Sequence, residues 1–194
     1  MNPVVGVLAL QGAFAAHAES LTRVGARTAE VRTPAHLEGV DALVMPGGES
    51  STMSNLLASS GLFDPIAERI ADGMPVFGTC AGMILLSSEV LDGRDDQRCF
   101  AAIDISVRRN AFGRQVDSFE TDIPTTVGLF HGVFIRAPRI ERVGASVEVL
   151  GSLGDEAVLV RNENVLAASF HPELAGDDRL HDYFVSTVLS RREG

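Results

Sequence analysis

Cysteine is scarce in this sequence: of 194 residues only Cys80 and Cys99 carry a thiol. Two are too few for a disulfide framework, and there is no C-x-x-C pair or histidine-rich cluster with metal-ligand spacing. Neither a metal nor a cofactor is expected, and the thiols suit a reducing cytoplasm. Positive charge is also in deficit, with 16 Lys and Arg against 26 Asp and Glu for a net charge of −10. The basic residues are scattered, so no nucleic-acid surface is expected, because affinity for phosphate backbones comes from clustered Lys and Arg. The acidity is read as solubility. No apolar run approaches the roughly 18 residues that span a bilayer, and the apolar stretch at 4–10 lacks the basic flank of a signal peptide. No membrane association is expected. Nor is there a linker-like tract, an internal repeat or a low-complexity segment. With 45% hydrophobic and 22% charged residues, positions 1–194 are expected to form a single domain with a full core.

What is present is a βα rhythm. Residues 4–10 form a continuous apolar, β-branched run, as in a strand covered on both faces of a parallel sheet. Phe14, Ala18, Leu21 and Val24 then recur at helical spacing, and Gly25 stops the helix. A second strand is expected over 26–32, a short helix opened by Thr33-Pro34, and a third strand over 41–45. That strand runs into Pro46-Gly47-Gly48-Glu49-Ser50-Ser51-Thr52-Met53, which is either an ordinary tight turn or a backbone N–H cradle for an anion. It has neither the Lys of a P-loop nor a G-x-G-x-x-G pattern. Two helices follow, the second with Phe63, Ile66 and Ile70 on one face, and lead to a strand over 75–77. The implied fold is α/β, with a doubly wound, mostly parallel sheet whose ligands sit beyond the carboxyl ends of the strands.

From residue 89 the character changes. A polar, irregular connection is expected over 89–99, with Asp95 and Asp96 on a solvated loop. Strands are expected over 103–109, 115–121, 127–130, 133–136, 147–150, 156–161 and 165–170, forming an antiparallel edge or a side sheet. Leu180, Tyr183, Phe184, Thr187 and Val188 mark a final amphipathic helix, with Arg191 and Arg192 at its negative end.

Gly78-Thr79-Cys80-Ala81-Gly82 makes the turn from the 75–77 strand into a buried helix. Such a G-x-C-x-G elbow permits a strained bend that lifts the central side chain above the sheet edge, with free backbone N–H groups beside it and a positive helix end behind it. Cys80 is then a poised nucleophile; the alternative is a small buried hydrophobe. A nucleophile needs a base, and the base an orienting partner. His17, His36 and His181 fall in helix patterns where exposure is the usual explanation, and His131 follows a strand. His171 sits at a strand end with Glu173 two residues on, and an i, i+2 pair in extended backbone points to one side. Cys80, His171 and Glu173 thus make a candidate Cys-His-Glu triad.

Several motifs carry a resemblance. They are Gly6-Val7-Leu8-Ala9-Leu10-Gln11-Gly12, the Pro46–Met53 loop, the elbow, Arg109-Asn110-Ala111-Phe112-Gly113-Arg114-Gln115, Phe134-Ile135-Arg136-Ala137-Pro138 and Ser169-Phe170-His171-Pro172-Glu173-Leu174. The elbow and the His-Pro-Glu resemble class I glutamine amidotransferases in general; the remaining motifs resemble the PdxT family, the glutaminase subunit of pyridoxal 5′-phosphate synthase. Residues 89–102 match that pattern poorly. The resemblance implies hydrolysis of L-glutamine to glutamate and ammonia, with ammonia passed to a synthase subunit in a hetero-oligomer. It also implies that the backbone N–H groups of Gly48 and Ala81 hold the oxyanion, and that Gly47, Gly48, Glu49, Arg109, Ile135 and Arg136 line the glutamine site. Read alone, Arg109 and Arg136 would be surface arginines. The competing expectations are an amidotransferase serving another acceptor synthase, a cysteine peptidase on the same architecture, and a regulatory subunit without chemistry.

Overall fold

The computed structural model describes residues 3–109 and 118–189. Its first half alternates as the apolar periodicity requires: β1 (Val4–Leu8), α1 (Phe14–Arg23), β2 (Arg27–Val31), α2 (Pro34–Leu37), β3 (Ala42–Met45), α3 (Ser50–Ser59), α4 (Phe63–Ala71), β4 (Val76–Thr79) and α5 (Ala81–Leu86). The second half is mostly strand: β5 (Ser87–Val90), β6 (Ile103–Arg108), β7 (Ser118–Thr125), β8 (Gly128–Ile135), β9 (Arg139–Val143), β10 (Glu148–Leu153), β11 (Glu156–Asn162) and β12 (Val165–Ala168). A 3₁₀ turn at Pro172–Leu174, helix α6 (Arg179–Tyr183) and a π-helical segment at Phe184–Leu189 complete it.

The main sheet has nine strands in the order β2-β1-β3-β4-β12-β11-β10-β7-β8. Strands β2 to β12 along that order are parallel, and β11, β10, β7 and β8 continue the sheet antiparallel. A second sheet has three strands in the order β5-β6-β9. Both forms left open for the second half therefore occur.

Alternation along the parallel strands sends side chains to both faces. Val5, Val7, Val44, Phe77 and Leu166 pack with α1 and the C-terminal helical segment. Leu8, Leu43, Met45 and Val76 pack on the opposite side with α2 to α5 and the small sheet. Each face is covered, so the strands read as unbroken apolar runs rather than alternating ones.

Several expectations are corrected. Glu89 and Val90 do not belong to an irregular connection; they lie in β5, which pairs parallel with β6. The strands expected at 127–130 and 133–136 are one strand, β8, whose His131-Gly132 centre stays paired with β7. Strand β9 was not expected: it has a single buried residue, Ile140, and so shows almost no hydrophobic signal. The final helix is split, with its second half wound as a π-helix. Thr33 precedes α2 as an extended residue but makes no side-chain cap hydrogen bond. Positions 110–115 of the Arg109–Gln115 motif, with Arg191 and Arg192, lie outside the described residues. Among those described, no helix is long and apolar enough to cross a membrane.

Candidate active site

Between β4 and α5 the chain turns so sharply that Cys80 sits at φ 51°, ψ −108°. A non-glycine residue there costs about 1–3 kcal/mol and persists only when its surroundings over-determine it. They do. A Cβ on Gly82 would lie 2.1 Å from the Met45 carbonyl oxygen, and one on Gly78 only 2.5 Å from Leu86 Cδ1. Strand β3 and helix α5 thus close on the elbow from both sides, while the Cys80 N–H donates to the Ala168 carbonyl at 2.8 Å.

That last bond also explains how a residue 91 positions away joins the site. Strand β12 runs parallel beside β4 with Ala168 opposite Thr79, so the chain leaving β12 passes the sulfur as it leaves the sheet. His171 is fixed there by donating its backbone N–H to Val133 of β8 at 2.8 Å. The expected extended i, i+2 arrangement is not the one found. His171 precedes the 3₁₀ turn at Pro172–Leu174, and that turn carries Glu173 back so that Oε1 meets His171 Nδ1 at 2.7 Å.

Cys80, His171 and Glu173 are 6%, 9% and 7% exposed, so their charges interact with little screening. Burial alone would depress the His171 ring. Hydrogen bonds to Cys80 and Glu173, with their negative charge, outweigh it and push the ring up to about 10. Burial likewise works to raise the Glu173 carboxyl, but the hydrogen bond from His171 holds it below the ordinary carboxylate value. At neutral pH the ring is an imidazolium between a sulfur and a carboxylate.

The sulfur faces a cleft of about 350 Å³ whose lining includes Gly47, Gly48, Glu49, Arg109, Ile135, Arg136 and His171. Gly47 touches the triad: a Cβ there would sit 2.4 Å from His171 Cε1 and 3.3 Å from Cys80 Cβ. The glycine loop is held from behind by the turn after β1, where Gln11 Oε1 accepts the Glu49 N–H at 3.0 Å and a Cβ on Gly12 would meet the Gly47 oxygen at 1.8 Å. Ala81 is not in the lining; it opens α5 behind the sulfur, where helix N–H groups have no intrahelical acceptor. The Glu49 carboxylate caps α3 through the Ser51 and Thr52 N–H groups at 3.1 and 2.7 Å. Arg109 Nη2 lies 3.5 Å from Glu49 Oε1, and its Nη1 donates to Ser51 Oγ and Gln97 Oε1 at 2.9 and 3.0 Å. Arg136 is exposed, in left-handed backbone at φ 43°, and enters no ion pair among the described residues.

Sequence reasoning missed three things here. Gln11 and Gly12 lie at the carboxyl end of β1, where the strand-end rule would have found them. Gln97 sits in a polar loop that carries no signal. His17 and His181 were expected to be exposed, yet both are wholly buried; His17 lies three residues after Phe14 and four before Leu21, on the apolar face of α1. His36 and His131 are exposed, the latter between Glu120 and Asp122 at 3.0 and 2.9 Å. Among the described residues no group of three or more His, Cys, Asp or Glu could hold a metal ion.

Known proteins give an independent comparison. Residues 7–190 match the SNO glutamine amidotransferase family. A protein of Corynebacterium jeikeium (strain K411) named pyridoxal 5′-phosphate synthase subunit PdxT is 55% identical, over 97% of this chain and 98% of its own. Its namesake in Salinispora arenicola (strain CNS-205) is 57% identical over 96% of both chains. A crystal structure of a glutamine amidotransferase superposes with a TM-score of 0.90 at 50% identity, covering 96% of this chain and 98% of that one.

Proposed function

This chain belongs to the SNO glutamine amidotransferase family, and from that premise we propose that it is the glutaminase subunit of a pyridoxal 5′-phosphate synthase, hydrolysing L-glutamine and delivering the ammonia to a synthase subunit. The observation that carries the reading is the His171 ring, 2.7 Å from Glu173 and partnered by Cys80, at the floor of an amino-acid-sized cleft. The full-length similarity to proteins named PdxT supports the choice of acceptor.

In this reading the Cys80 sulfur attacks the side-chain amide carbon of glutamine, and the carbonyl electron pair moves to oxygen. Backbone N–H groups of Gly48 and Ala81 receive that oxyanion; one such donor is worth roughly 10²- to 10³-fold in rate. The His171 imidazolium gives its proton to the amide nitrogen, the C–N bond breaks, and ammonia leaves a thioester. The ring, now neutral, takes a proton from water as the water attacks that thioester. Collapse releases glutamate and restores the sulfur anion beside a protonated ring. Throughout, Glu173 keeps the ring in the tautomer that presents Nε2 to the sulfur.

Arg136 and Arg109 suit the α-carboxylate of a free amino acid, Glu49 its ammonium group, and Ile135 the apolar wall. Ammonia released into water is protonated and ceases to be a nucleophile, so the reaction calls for a partner over the cleft. Ile135 and Leu174, both cleft-lining, are exposed apolar side chains at that mouth. The compartment in this reading is the cytoplasm, where both free thiols would stay reduced.

The test is ammonia release from glutamine, for wild type and Cys80→Ala, with and without the synthase subunit. Turnover is expected only with Cys80 intact, and higher in the complex. Turnover that survives Cys80→Ala overturns the chemistry; activation by a different acceptor synthase, and not by this one, overturns the assigned partner.

A further inference from the structure

Glu173 uses one carboxylate oxygen on His171, and the other is buried without a hydrogen bond of good geometry. An ionised carboxylate oxygen left bare in a protein interior is costly, so the polar groups within reach of it matter. One is Nε2 of His17, on α1, at 3.3 Å. The same nitrogen lies 3.2 Å from Thr79 Oγ1 of β4, and the other His17 nitrogen, Nδ1, lies 2.9 Å from Nε2 of His181 on α6. Both rings are wholly buried, and neither has a part in the chemistry described above. The remaining groups around them are His171 and the edge of the Phe77 ring, with Arg23 and Asp178 behind His181.

Burial keeps both rings neutral at physiological pH, His17 pushed down to about 4 and His181 to about 3. Each therefore carries one N–H and one lone pair, which leaves two ways to fill the contact between them. If His17 donated from Nδ1, its Nε2 lone pair would face the Glu173 carboxylate, and the His181 proton would sit on Nδ1, a buried atom with no acceptor. If His181 donates from Nε2, the His17 proton sits on Nε2 between Glu173 Oε2 and Thr79 Oγ1, and what remains unpaired is only a lone pair. The second arrangement removes a repulsion and an orphaned donor together.

We infer that His17 is a positioning residue for the reaction: its Nε2–H serves the second oxygen of Glu173, and His181 fixes the tautomer that puts the proton there. The relay Cys80–His171–Glu173 then continues through His17 to His181. Held at both oxygens, Glu173 keeps its charge and its angle to His171 while that ring gives up and regains a proton. The catalytic consequence rests on the glutaminase reading; the hydrogen-bond assignment does not.

Two measurements test it. In the wild-type protein at neutral pH, ¹⁵N NMR of the imidazoles is expected to show His17 protonated at Nε2 and bare at Nδ1. A His17 proton on Nδ1, or a cationic His17, overturns the inference whatever the enzyme does. Ammonia release by the complete complex with the synthase subunit is then compared for wild type, His17→Phe and His17→Gln. His17→Phe fills the space without a donor; it is expected to lower kcat about tenfold or more, short of the roughly 10⁴-fold seen when a triad carboxylate is lost, with KM for glutamine held within about twofold. The acid limb of its pH profile moves to higher pH, because an unsupported Glu173 takes up a proton more readily. His17→Gln, whose amide N–H can stand near the place of Nε2, is expected to recover most of the rate. A His17→Phe complex with wild-type kcat and pH profile overturns the inference. Should the wild-type complex release no ammonia, the function proposed above fails and the NMR result alone decides the assignment; it decides equally if His17→Phe does not fold.

Discussion

At His171, burial and pairing act in opposite directions, and pairing wins: the ring keeps its proton in a site that would by itself expel it. The reason is the hydrogen bond with Cys80 on one side, together with the 2.7 Å contact with Glu173 on the other. An imidazolium raised above its ordinary 6.5 is present below its folded-state value and is lost as pH rises through about 10. Because that proton goes to the departing nitrogen, the kcat of the complex should fall on the alkaline side near pH 10. Glu173→Gln keeps the shape and removes the charge, so its alkaline limb should move to lower pH while kcat falls by about 10³- to 10⁴-fold. pH–rate profiles of the two complexes check both; an unmoved limb would show that Glu173 does not support the ring. Cys80 and the His-Pro-Glu triplet were legible as residues because each carries a local signature. His17 was not, since its role comes from a carboxylate 156 positions away.

At the scale of elements, the site is a product of strand register. The parallel pairing of β12 with β4 sets Ala168 beside Thr79 and so brings the two chain ends out of the sheet together. A slip of one residue would turn every β12 side chain to the other face and carry His171 away from the sulfur. The elbow shows the same dependence in its glycines. Gly82 lies in α5, where Ala is worth about 1 kcal/mol over Gly by propensity alone. Its Cβ, however, would stand 2.1 Å from a main-chain oxygen of β3, which cannot rotate aside. The clash should outweigh the propensity: Gly82→Ala is expected to destabilise by about 1–3 kcal/mol, read from the denaturation midpoint. Equal or higher stability would mean that β3 and α5 are not held this close. The elements of the first half were legible because doubly covered strands and amphipathic helices carry strong periodicity. β9 and the His131-Gly132 centre of β8 were not, β9 being half-exposed and short of apolar residues and the β8 centre interrupting the apolar pattern.

Across the whole molecule, α1 and α6 cover one face of the sheet and bury two histidines behind the site. Each is neutral when folded and takes up a proton below about 6.5 when unfolded, so between 6.5 and 4 the unfolded chain binds more protons. Their contribution is complete above pH 6.5 and is lost as pH falls toward 4, amounting to on the order of 3 kcal/mol for His17. Thermal unfolding should accordingly move to lower temperature over that interval with net proton uptake, and His17→Phe should flatten the slope. A wild-type midpoint indifferent to pH between 6.5 and 4 would contradict the buried, neutral state. What the sequence determined alone were the properties that local patterns encode: parallel strands covered on both sides, the cysteine elbow, and the His-Pro-Glu triplet as a base with its partner. Tertiary structure decided what depends on residues far apart in the chain. It carried His171 to the sulfur through the pairing of β12 with β4, set Arg109 against Glu49 and Ser51, and seated His17 against the triad. Those outcomes follow from which surfaces meet across the sheet, and periodicity within one segment carries no record of what packs against it.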